Sequence, residues 1–150
     1  MKTVHVRSQS GTTYGVAIDD GRHQLVADAS AEDGGEKLGP TPYELLLGSL
    51  GSCMVITIQM YARRKQWPLE TVAIELTHEK VFAADCEYCT QEEIDEAGPQ
   101  GRIDVITTRV DVEGVLTEEQ VARLEEIGRR CPVHRTLMAS AKIVSESAPR

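Results

Sequence analysis

The side chains best equipped for covalent chemistry are four cysteines: Cys53, Cys86, Cys89 and Cys131. A thiolate is a nucleophile and a metal ligand, and its surroundings set its reactivity. Cys131 opens the stretch C-P-V-H-R-T-L, and Pro132 suits the first position of a short helix over residues 132–138. The sulfur then stands at an N-cap, where unpaired amides and the helix dipole favour the thiolate. Arg129, Arg130, His134 and Arg135 add positive charge. The plainer role is a capping residue in a tight turn, although Cys caps less well than Ser, Thr, Asp or Asn. His134 comes three residues on, on the same helical face; it is either a proton shuttle or an ordinary exposed histidine. Cys53 lies inside an apolar helix, where a free Cys is equally a small core hydrophobe. Were these two thiols to meet, a peroxide could oxidise one to a sulfenic acid and the other could capture it as a disulfide. Cys86-Glu87-Tyr88-Cys89 is a separate pattern. One C-x-x-C is half a zinc site, a small redox pair or part of a plain loop. His78 is near enough in sequence to add a ligand, but there is no second C-x-x-C.

The element that must position Cys53 runs from Pro40 to Pro68. Thr41 as N-cap, Pro42 at the first position and Glu44 three residues after the cap make a helix start with a capping box. Arg63, Arg64 and Lys65 suit the C-terminus, and Trp67-Pro68 stops it. Leucine, isoleucine, valine and methionine between the ends leave no polar face, so the helix reads as a core element enclosed on every side. Gly48, Ser49, Gly51 and Ser52 permit close approach of other backbones. The apolar part is too short and too rich in Gly, Ser and Thr for a membrane span.

Around it the pattern predicts strands over 2–7, 12–18 and 22–28, a loop over 29–39, and strands over 70–82 and 101–114. Asp20-Gly21 marks a hairpin turn. Val72, Ile74 and Leu76 share one face of the fourth strand, while the fifth carries apolar residues on both. Residues 83–100 are acidic and read as a surface loop or loose hairpin tip. A helix over 116–130 opens on a Thr117–Gln120 capping box. The short helix after Cys131, a closing strand over 139–146 and a frayed end over 147–150 complete the order β-β-β-α-β-β-α-α-β. This is an α+β chain of 150 residues, expected to form one domain. A net charge of −8 argues against nucleic acid and anionic membranes as partners. With no leader apparent, a soluble cytoplasmic protein with reduced cysteines is expected.

G-P-T-P-Y-E-L-L-L-G-S-L-G-S-C, ending at Cys53, and C-P-V-H-R-T-L from Cys131 resemble the OsmC and organic hydroperoxide resistance family, in its OsmC-like branch. The resemblance extends through D-A-S-A-E-D-G-G and covers nearly the whole chain. It implies an OsmC-like fold in an intertwined homodimer, with each long helix packed centrally against sheets. It implies a cofactor-free peroxidase for organic hydroperoxides, regenerated by a dithiol, with Cys53 peroxidatic and Cys131 resolving. Peroxidase members carry a Glu directly after the helix-opening Pro and an Arg from the N-terminal strands. Here Tyr43 comes directly after Pro42, and Glu44 one residue later, rotated by about 100°. Glu44 is thus a catalytic candidate or only a capping partner. Tyr43 could donate to the thiol or peroxide, and Arg7 and Arg22 are the nearest arginines. Leu50 and Met54 would supply an apolar substrate surface. Two other readings stand beside the peroxidase: an OsmC-fold small-molecule binding protein, and a metal-linked or redox-sensing protein using Cys86 and Cys89.

Overall fold

A computed structural model describes residues 1–98, 100–139 and 141–146. They form two compact units, Met1–Gly48 and Ser49–Arg150. The first holds a meander of three antiparallel strands, β1 (His5–Ser8), β2 (Val16–Asp19) and β3 (Gln24–Ala27), in that spatial order. The Asp-Gly turn forms as expected. Asp19 accepts from the Gly21 amide at 2.6 Å, and Asp20 accepts from the Arg22 and His23 amides at 2.8 and 2.7 Å. Gly21 takes a φ of 85°, which a side chain would disfavour. The strands are shorter than the sequence pattern implied. The Thr12 hydroxyl donates to the Gln9 carbonyl and accepts from the Gly15 amide, which turns 12–15 out of the ladder.

Asp28 organises the loop between β3 and the long helix. Its carboxylate is buried and accepts from the amides of Ala29, Glu36 and Leu38 at 2.8, 2.7 and 3.2 Å. Burial alone would raise its pKa. The Leu38, Glu36, Ala29 and Lys37 amides together outweigh that and hold it below 3.8. The loop closes so tightly that a Cβ on Gly35 or on Gly39 would stand 2.0 Å from the carbonyl oxygen of Ala29 or Val26. One carboxylate thus fixes the approach to the long helix α1 (Pro42–Lys65).

α1 starts in the first unit and continues through the second. There Leu50, Met54, Ile58 and Ala62 form one buried row at i+4 spacing. They pack on the hairpin of β4 (Leu69–Phe82) and β5 (Arg102–Gly114), whose inner face carries Val72, Ile74 and Leu76 opposite Val112, Val110 and Thr108. Gly51 admits this approach: a Cβ there would meet a Leu76 methyl at 2.7 Å. Beyond the hairpin tip, which carries a short helix α2 (Gln91–Ala97), comes α3 (Glu118–Gly128). Capped by the Thr117–Gln120 box, α3 buries Leu124 against Ile58 and Ala62. α4 (Pro132–Met138) comes last.

Three expectations are corrected. α1 is not enclosed on every side: Ile56 and Met60, on the face away from the buried row, are 54% and 68% exposed. Its uniformly apolar sequence provides for a cover that the described residues do not supply. The acidic stretch is the hairpin tip of the two alternatives, but not a loose one: Ala83–Asp85 makes a 3₁₀ turn, and α2 forms after it. The signal was the Thr90–Glu93 capping box, with both reciprocal bonds made. Finally, residues 141–146 are not a strand. Ala139 caps the C-terminus of α4, and Ile143 and Val144 stay exposed. A strand is held by a neighbouring ladder, and no strand among the described residues pairs with this one. The expected fraying of 147–150 lies outside the described residues.

Candidate functional site: two paired thiols

Cys131 stands at the N-cap of α4, as the Pro132 signal implied, and its sulfur accepts from the His134 amide at 3.3 Å. Packing upstream sets its position. Gly128 closes α3 against α1, where a Cβ would lie 3.0 Å from Ile58 and 3.6 Å from Met54. The Cys131 amide then donates back to the Gly128 carbonyl at 3.2 Å. This folds the sulfur inward, and Cys131 is completely buried in one cluster with Leu50 and Met54. Ile74, Leu76, Ile106, Val110 and Val133 pack around that cluster, and so does Cys53.

The two sequence-predicted thiols are therefore brought into one cluster, near enough for Cys53 to act on the ionisation of Cys131. Cys53 is half-buried, Cys131 is buried, and neither is in a disulfide. The Thr57 hydroxyl donates to the Cys53 carbonyl at 2.7 Å, anchoring that turn of α1.

The electrostatics of Cys131 differ from the sequence expectation. The N-cap and its basic neighbours pointed to an easily ionised thiol; instead its pKa lies above 9.0. Burial is the largest cause. The His134 amide pulls the other way, and the hydrogen bond and charge interaction with Cys53 push it up again. The neighbouring cations do not reverse this. Arg130 is ion-paired to Glu126, which also holds Arg123. A thiolate on Cys53 would discourage a second thiolate on Cys131, so this geometry favours one charge at a time.

The other predicted residues occupy varied settings. Leu50 and Met54 are core residues beside Cys131 rather than the walls of an open cleft. Glu44 completes the capping box: it accepts from the Thr41 amide at 2.6 Å, and its own amide reaches the Thr41 hydroxyl at 3.4 Å. The Thr41 amide and hydroxyl hold its pKa below the usual carboxylate value. Tyr43 is exposed at the same helix start. Cys86 and Cys89 are joined in a disulfide, with Cα atoms 5.5 Å apart, so in this state they are not metal ligands. Among the described residues no group of three or more His, Cys, Asp or Glu is arranged to hold a metal.

Sequence reasoning missed a groove of about 440 Å³ next to the thiols. Thr57, one turn beyond Cys53, and Pro132, adjacent to Cys131, line it with Met60, Ile127, Arg64 and Arg130. Tyr61 forms its wall, ringed by Arg64, Lys65 and Arg123 at 5.2, 5.9 and 5.7 Å from the ring centre. The Arg123–Glu126–Arg130 spacing was readable as a helical ion-pair series. The convergence of Tyr61 on it from another helix was not.

Known proteins share this architecture. A family model described as OsmC-like protein matches residues 34–146. No curated protein sequence matches the chain. An OsmC-like protein from Mycoplasma pneumoniae superposes with a TM-score of 0.69 at 16% identity, over 93% of this chain and 89% of its own. The organic hydroperoxide resistance protein OsmC from Legionella pneumophila gives 0.62 at 18%, over 90% and 88%. The organic hydroperoxide resistance protein OhrB of Bacillus subtilis gives 0.60 at 16%, over 92% of each chain. These likenesses extend across both units and establish a shared α+β fold.

Proposed function

The chain belongs to the OsmC-like family, and on that premise we propose that it is a thiol peroxidase for organic hydroperoxides, with Cys53 attacking and Cys131 resolving. The observation that carries this reading is the contact between two unbridged thiols, one of them buried and held protonated. Similarity to organic hydroperoxide resistance proteins supports the substrate class.

In this mechanism the Cys53 thiolate attacks the distal peroxide oxygen. The O–O bond breaks, and the alkoxide takes a proton and leaves as the alcohol. Cys53 is now a neutral sulfenic acid, so the charge that opposed ionisation of Cys131 has gone. Cys131 gives up its proton and attacks the Cys53 sulfur, releasing water and forming the disulfide. An external dithiol restores both thiols. No cofactor enters this cycle. The apolar surface around the pair favours an alkyl hydroperoxide over hydrogen peroxide.

The working form proposed is a homodimer, in the cytoplasm. Its support is the unpartnered apolar face of α1, with Ile56 and Met60 exposed, and the unpaired stretch at 141–146. Tyr43 and Glu44, at the start of α1, are proposed to assist the attack on the peroxide, Glu44 from within its capping box.

That last point favours a second reading. Glu44 is engaged by Thr41 in both directions, so its carboxylate serves the helix cap and not a thiol. An OsmC-fold binding protein with an idle thiol pair fits this observation. Turnover separates the two. The reduced protein is incubated with tert-butyl hydroperoxide and dithiothreitol, beside Cys53→Ser. Rapid consumption by the native chain alone supports the peroxidase, and equal consumption by both rejects it.

A further inference from the structure

We propose that Cys86 and Cys89 are a second thiol–disulfide centre, opened by dithiols and independent of Cys53 and Cys131, that latches the tip of the β4–β5 hairpin. The contrast in state comes first. The distant pair in the core is in contact yet unbridged, whereas this local pair is closed. Both of its cysteines are half-buried in a surface segment, with the intervening Tyr88 77% exposed, so a small reductant can reach them.

The bridge encloses only Glu87 and Tyr88. A ring that short removes little freedom from the unfolded chain, so the bridge is poorly suited to serve as a global staple. Its reach is local. Ala83 is buried, its amide donates to the Gly101 carbonyl at 2.9 Å, and the Cys86 amide donates to the Ala83 carbonyl at 3.3 Å. Cys86 then lines a crevice of about 210 Å³ with Val81 and Val105, on the hairpin's outer face. Opening the bridge releases Cys89, and with it the start of α2, from that anchor.

The surroundings select the reaction. Asp85, Glu87, Glu92, Glu93, Asp95 and Glu96 crowd the segment, and no Lys or Arg lies between residues 83 and 101. Carboxylates oppose thiolate formation. The segment therefore offers no cation of its own to stabilise a thiolate. Direct exchange with the core pair within one chain is blocked by the sheet: Cys86 lines its crevice with Val81 and Val105 on the outer face of the hairpin, and the core pair packs on the inner face with Ile74, Leu76, Ile106 and Val110.

The step is ordinary thiol–disulfide exchange. A thiolate of the external dithiol attacks one sulfur of the Cys86–Cys89 bond, and the other leaves as a thiolate and takes a proton. The second thiol of the reagent cleaves the mixed disulfide and departs as a cyclic disulfide. Two electrons and two protons pass to the protein. A low-molecular-weight disulfide closes the bridge again by the reverse exchange.

The test uses the full native chain, before and after millimolar dithiothreitol, read by maleimide labelling with peptide mass mapping and by amide hydrogen exchange. The expected result is no label on the 86–89 peptide before reduction and two after. Exchange should be about tenfold faster or more across 83–97 in the reduced protein, and unchanged across 69–81 and 103–113. Cys86→Ser/Cys89→Ser should reproduce the fast exchange without reductant. Both cysteines labelled at the outset, a bridge that resists native-state reduction, or identical exchange in the two states would each overturn the proposal. None of these outcomes depends on hydroperoxide turnover, so the peroxidase reading stands or falls separately.

Discussion

The two cysteine pairs of this chain have opposite designs. Cys53 and Cys131 come from different helices, meet in the core and remain thiols; Cys86 and Cys89 are near neighbours in sequence, lie in a surface segment and are joined. The first pair exists only because α1, the hairpin and α3 pack, so its geometry is a property of the fold. The second pair exists because a turn brings two positions together, and its chemistry is a property of the segment. Burial raises the Cys131 pKa and ties its ionisation to the charge on Cys53. Around Cys86 and Cys89 the controlling field is a run of carboxylates in water. A core pair that waits unbridged suits catalysis; a surface pair that waits closed suits switching.

The largest effects should come from breaking the core pair. Cys53→Ser removes the proposed nucleophile, and dithiol-dependent hydroperoxide turnover should fall about a thousandfold or more. Cys131→Ser should separate the two half-reactions. One equivalent of hydroperoxide is still consumed, and the Cys53 sulfenic acid persists long enough to be trapped by dimedone. Steady-state turnover should drop about a hundredfold, because the trapped species lacks its partner. If Cys131→Ser cycles like the native chain, the contact between the thiols has no part in catalysis.

Legibility in the sequence divides along the same line, local against tertiary. Local signals were readable: the capping boxes at Thr41 and Thr117, the Asp20-Gly21 turn, the N-cap position of Cys131, and the alternation in β4. The thiols' meeting was accessible only through the family resemblance, because it depends on how α3 closes against α1 at Gly128. The sign of the Cys131 shift was misjudged for a related reason. Cap and arginines are visible in sequence, but the burial that outweighs them is tertiary. The closing strand was misplaced because an alternating pattern marks a capacity to pair and does not supply the partner. The role of Asp28 was passed over, since its amide partners become neighbours only once the loop has closed.

A smaller effect sharpens the core side through stability. The folded state holds the Cys131 proton more tightly than the unfolded chain does, because its pKa is raised above 9.0. The unfolded state then loses that proton first as pH rises. The contribution is complete below about pH 9 and is lost as pH rises through the folded pKa. Urea midpoints should therefore decline on the alkaline side, and Cys131→Ser should flatten that part of the decline. A decline of equal steepness in both proteins would assign it to other groups. Crowding the approach of α1 is a companion test. Gly51→Leu forces a side chain where Leu76 already lies, and should cost about 1–3 kcal/mol in denaturant unfolding.

The smallest expected effect is the most discriminating for the comparison itself. Cys86→Ser/Cys89→Ser should leave steady-state hydroperoxide turnover within about twofold of native, because no electron from the dithiol needs to pass through the tip. The β4–β5 sheet stands between the outer-face crevice of Cys86 and the core cluster on its inner face, and substitutions with no shared partner should act additively. Combining this variant with Cys131→Ser should accordingly reproduce the Cys131→Ser rate. A further loss in the combined variant would mean that the tip feeds the core pair in trans, across a second copy of the chain. Unchanged rates, with the tip alone loosened, would leave two thiol centres on one scaffold that respond to the same reductant and report to different parts of the molecule.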